Sequence, residues 1–148
     1  MKIVSHTSFN LAYALLPFKR NQDVIKILPG KGKVRFIASV VDGWNWKEKI
    51  SDEELGRKAA NFVANTYPQM LITYLRNDII HEAAKKAAQQ LDDAFLKRWS
   101  KYVSSVGTFL LSTENEDVIV SVGNEVVLVS NGKEWTKPNE IGDYSLDP

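Results

Sequence analysis

The chain has 148 residues, enough for one domain with a hydrophobic core of its own. Nineteen Lys and Arg face eighteen Asp and Glu, so no bulk charge points to nucleic acid or to an anionic membrane. Cysteine is absent, which excludes disulfides and thiolate metal sites and suits a reducing compartment.

The first twenty residues carry one short apolar patch, Leu11 to Leu16. They lack a basic leader and an apolar core ending in small residues, so no signal peptide is expected. No run reaches the roughly 18 apolar residues that a membrane helix needs. The expected setting is the cytoplasm, with neither membrane nor nucleic acid as partner.

Lys2 to Ser8 and Leu11 to Leu16 read as strands. "VIKIL", Val24 to Leu28, is β-branched and alternating. "PGKGK", Pro29 to Lys33, is a turn of the type that joins antiparallel strands. "VRFIASVV" follows as the central strand, with Phe36 to Val41 expected to be buried and Asp42 at its exposed end.

Two helices come next. Ser51 and Glu54 have capping-box spacing, and Leu55, Ala59, Phe62, Val63 and Tyr67 recur at helical intervals. Pro68 is expected to end or kink this helix near Tyr67. A second helix is expected from about Asn77 to Lys101, with its stripe through Ile80, Ala83, Ala87, Leu91 and Phe95. Each has one face to bury, most simply against a sheet. His81 belongs to the polar surface of the second helix.

The remainder returns to strands: "VSSVGTFLLST", "DVIVSVG", "EVVLVS" and "KEWTK". Turns are expected at Glu114 to Glu116, at Gly123-Asn124 and at Asn131-Gly132. The last has the composition of a type I′ hairpin turn. Strands, two helices and an antiparallel meander define an α+β class.

Asp42-Gly43 admits two readings. It is an ordinary turn at a strand end, or it is a hard-cation site where a carboxylate meets Mg²⁺ or Mn²⁺ and glycine lets a carbonyl approach. Asp23 bears on the choice. A hairpin through residues 29–33 puts Asp23 and Asp42 at the same end of the sheet, where two like charges are unfavourable without a cation or proton between them. Carboxylates roughly 4 to 7 Å apart are expected of a shared ion. Trp44 and Trp46 are expected to serve packing.

The run of Asn21-Gln22-Asp23, Val40-Val41-Asp42-Gly43, Gly107-Thr108, Val122-Gly123-Asn124-Glu125 and Asn131-Gly132-Lys133, in that order, resembles the metal-dependent protein phosphatases of the PPM, or PP2C, type. The resemblance implies one PP2C-like domain over residues 1–148, an antiparallel β-sandwich with outer helix pairs. It implies hydrolysis of phosphoserine or phosphothreonine on a phosphorylated protein, by a water bound to two Mg²⁺ or Mn²⁺ ions. Asp42 would bridge the ions, Gly43 would offer its carbonyl, and Asp23 would sit beside them. Lys19 and Arg20 would take the phosphate, since Phe18 stands where relatives place an arginine. Asn124 stands where relatives have an aspartate. The later acidic segments of the family do not occur before Pro148, which reads as a domain truncated ahead of its last metal ligands. The alternative is a catalytically inactive relative acting as a binding or regulatory domain.

Overall fold

The computed structural model describes residues 22–45, 54–99, 101–122, 129–130 and 135–136. The strands expected at 2–8 and 11–16, Lys19, Arg20, Asn21, Trp46, Ser51 and the turn at Gly123-Asn124 lie outside them.

Strand β1, Val24–Pro29, turns back into β2, Val34–Asn45. The turn is closed by the Gly30 amide on the Arg35 carbonyl (3.0 Å) and the Val34 amide on the Lys31 carbonyl (3.2 Å). Gly32 takes φ 62°, in the region glycine enters without a Cβ penalty. After β2 come helices α1, Leu55–Tyr74, and α2, Ile80–Arg98. Strands β3, Val103–Thr113, and β4, Asp117–Val122, complete a sheet of order β1-β2-β3-β4, antiparallel throughout. The expected Glu114–Glu116 turn joins β3 to β4. There the Thr113 hydroxyl donates to the Glu116 carbonyl (2.7 Å) and accepts from the Glu116 amide (3.0 Å). A second, two-stranded antiparallel sheet pairs β5, Val129–Ser130, with β6, Trp135–Thr136. Among the described residues the fold is α+β, with a four-stranded antiparallel sheet and two helices. Among the described residues no helix is long and apolar enough to cross a membrane.

The core lies between α1 and one face of the sheet. Val24, Ile37, Val41, Phe109 and Leu111 meet Ala60, Val63, Ala64, Tyr67 and Leu71. The Tyr67 and Phe109 rings stack at 4.3 Å between centroids. Helix α2 brings Ala83, Ala87 and Leu91 to the same cluster but packs mainly on α1, not on the sheet as expected.

Three expectations are corrected. Helix α1 does not stop at Tyr67; it runs through Pro68 to Tyr74. Pro68 forgoes a backbone hydrogen bond, but Pro68 and Leu71 are both fully buried, and that burial outweighs the local cost. The N-cap of α1 is Glu54 rather than Ser51, with no side-chain cap bond. Helix α2 ends at Arg98, before Lys101, because Trp99 is extended. The Asn131-Gly132 turn lies outside the described residues.

Candidate functional site

Strand β2 does not end at Asp42. It pairs with β3 as far as Asn45↔Val103, so Asp42-Gly43 lies within the strand and is not a turn. Alternation along β2 follows from its one helix-covered face. Ile37, Ser39, Val41, Gly43 and Asn45 are buried toward α1. Phe36, Ala38, Val40, Asp42 and Trp44 stand on the other face. Burial on that second face declines along the strand: Phe36 is 8% exposed, whereas Val40 is 51% exposed. Val40 is therefore not the core residue that the expected buried run made it.

Asp42 is exposed on this open end of the second face. Val24 pairs with Val41, so Asp23, one residue before, falls opposite Asp42, one residue after. Directly opposed residues on antiparallel strands share a face, with Cβ atoms roughly 4.5–5.5 Å apart. The register thus brings the two acids to one face of one end of the sheet. The Ser105 hydroxyl fixes the backbone there, donating to the Asp42 carbonyl at 2.8 Å.

Gln22 goes the other way. Its Nε2 donates to Asn45 Oδ1 at 2.9 Å, and its Oε1 lies against Gly56 of α1. The Gln22 amide clamps the strand ends to the helix, and alternation along β1 assigns Asp23 to the opposite face. Gly43 has a packing reason to be glycine. A Cβ there would stand 1.9 Å from the Gly56 carbonyl oxygen, so only glycine lets the start of α1 lie on β2.

Three further residues stand on the face that register assigns to the acids. Trp44 shares Asp42's face and is 51% exposed. Thr108 and Ser121, beside Val40 in register, share a hydroxyl–hydroxyl hydrogen bond of 3.1 Å on the same face. The signal for Trp44 was parity: residues 40, 42 and 44 must point the same way once one of them is exposed. His81 is exposed on α2, as expected.

The described residues do not by themselves fit a binuclear metal centre. No group of three or more His, Cys, Asp or Glu that could hold an ion is gathered among them. Asp23 and Asp42 offer only part of the roughly six oxygens that one Mg²⁺ or Mn²⁺ prefers.

Fold and site together define an α+β domain whose antiparallel sheet carries a pair of opposed carboxylates at its open end. No model of a known protein family matches the chain. No curated protein sequence matches it either.

Proposed function

We propose that this is a PP2C-like domain of the PPM type, and that its open sheet end engages phosphoserine or phosphothreonine on a protein substrate and hydrolyses the phosphomonoester with Mg²⁺ or Mn²⁺. The observation that carries the proposal is the Val24↔Val41 register, which sets Asp23 opposite Asp42 at an exposed position. Opposed like charges are tolerated where a cation, a proton or a base lies with them, and in this reading a divalent cation is one of the groups that does so. In this reading Asp42 and Asp23 are the cation ligands, Gly43 adds its carbonyl, and Lys19 and Arg20 hold the phosphate. The fold proposed is the PP2C-like sandwich. The separate β5–β6 sheet supports it, as does the burial of Phe36 and Ser112 on the sheet face away from α1.

One observation favours a second reading, that of a non-catalytic binding or regulatory relative. The side chain of Gln22, where catalytic relatives can carry a ligating glutamate, is spent on Asn45.

The test is Mn²⁺ binding by calorimetry together with phosphate release from a phosphothreonine peptide, for the wild type and Asp42→Asn. Millimolar Mn²⁺ binding and slow Mn²⁺-dependent release, both lost in Asp42→Asn, are expected. Mn²⁺ binding without release would favour the second reading. Identical Mn²⁺ binding by wild type and Asp42→Asn would end the cation reading of this pair.

A further inference from the structure

At the other end of β1 from the two acids, the β1–β2 turn and the last turn of α1 enclose a groove of about 410 Å³. Six residues of strand at about 3.3 Å each separate the two places by roughly 20 Å. Val34, Ile72 and Leu75 form an apolar floor, and Lys31, Lys33 and Arg76 stand around it. Val34 is buried, while Ile72 and Leu75 are partly buried against the core, so the floor is anchored. The three cations are exposed. Among the described residues none of the three pairs with a carboxylate; the nearby Asp78 is held by Lys86 at 2.7 Å. Glu114 reaches this end of the sheet through its backbone, its amide donating to the Lys33 carbonyl at 3.2 Å, and it does not line the groove.

We propose that this groove is a docking site for a short acidic segment of a partner protein, one that alternates carboxylates with aliphatic side chains. Charge complementarity selects the carboxylates, which meet cations that pair with no carboxylate among the described residues. The apolar floor selects a peptide over a free anion, because a lone phosphate would leave Val34, Ile72 and Leu75 uncovered. Among the described residues no aromatic side chain lines the groove, so they offer no stacking surface for nucleic acid bases. The net charge of the whole chain is only +1, so attraction of an acidic peptide must be local. This site stands apart from the proposed phosphatase chemistry and does not rest on it.

The experiment is fluorescence anisotropy of a labelled peptide alternating glutamate and leucine, titrated with the full chain. Saturable binding that weakens as salt rises is expected. The combined Lys31→Gln, Lys33→Gln, Arg76→Gln variant should bind roughly tenfold more weakly, the sum of three modest ion pairs at exposed positions. A peptide with glutamine in place of glutamate, and one with glycine in place of leucine, should each bind more weakly than the parent. The lysines have a competing role, since they stand near the carbonyl end of α1, which cations stabilise. A variant that melts lower, beside a wild type that binds no peptide, would assign them to the helix and overturn the proposal. Equal binding by wild type and variant would overturn it as well.

Discussion

Gly43 and Gly56 face each other across the β2–α1 contact, and neither has room for a methyl group. A Cβ on Gly43 would meet the Gly56 carbonyl oxygen at 1.9 Å; one on Gly56 would meet Gln22 Oε1 at 2.1 Å and the Gly43 carbonyl carbon at 3.0 Å. Gly43→Ala and Gly56→Ala should each lower stability by about 1–3 kcal/mol, as overpacking does. The double variant should cost less than the sum, because one outward shift of α1 relieves both clashes. Urea unfolding of the three variants measures this, and strict additivity would mean that the two glycines do not share a contact. Tyr67 supplies a pH dependence. Its burial pushes the hydroxyl well above the ordinary tyrosine value of 10.0. The unfolded chain therefore loses that proton first as pH rises, and stability present below pH 10.0 declines above it. Tyr67→Phe should flatten the fall of the melting temperature above that pH. The variant should cost little at neutral pH, because the bond from the hydroxyl to the Ala84 carbonyl is long, at 3.4 Å. Equal alkaline slopes in the two proteins would locate the titration elsewhere.

Helix α1 holds the fold together as an element. It touches β1, β2 and β3 and also packs against α2. Ala59, Ala60, Val63, Ala64, Tyr67 and Leu71 are buried at intervals of three and four, the spacing of one wide helical stripe. The part of that stripe up to Tyr67 is legible in the sequence. Its continuation past Pro68 is not, because proline is a local stop signal and the burial of Leu71 is a tertiary fact. Leu71→Ala should therefore cost about 2–5 kcal/mol, as a large-to-small change in a filled core does. A cost below 1 kcal/mol by urea unfolding would mean that the last turn of α1 adds little to the core. At the α1–α2 connection, Lys86 and Asp78 form an exposed ion pair at 2.7 Å. The Asp78 hydrogen bond raises the Lys86 pKa. Such a surface contact orients the turn more than it stabilises the domain.

At the scale of the molecule, every neighbouring strand pair of the main sheet among the described residues is consecutive in sequence, and the helical pair is inserted between β2 and β3. The two central strands are each paired on both sides; β1 and β4 have one partner each among the described residues. Amide hydrogen exchange should follow this order. Amides of β2 and β3 around Ile37, Val41, Phe109 and Leu111 should exchange most slowly, at rates near those of global unfolding. Those of β4 should exchange faster. Equal protection of β4 and β3, read by mass spectrometry of peptic fragments, would show that β4 has a second partner.

The sequence by itself determined the class and the order of elements: the β1–β2 hairpin, two amphipathic helices and the β3–β4 hairpin. These rest on local signals, namely turn chemistry at Pro29–Lys33 and Glu114–Glu116 and apolar period in the helices. It also placed Asp23 and Asp42 at one end of the sheet, because hairpin register is arithmetic once the turn is known. Tertiary structure alone decided what each side chain faces. The covering of a single face of β2 by α1 makes Val41 core and leaves Val40, Asp42 and Trp44 exposed, though a β-branched and aromatic run looks uniformly buried. The same contact turns Gly43 into a packing requirement and sends Gln22 to Asn45 and away from the acids. Periodicity tells which residues share a face; only a neighbouring element tells which face is inside.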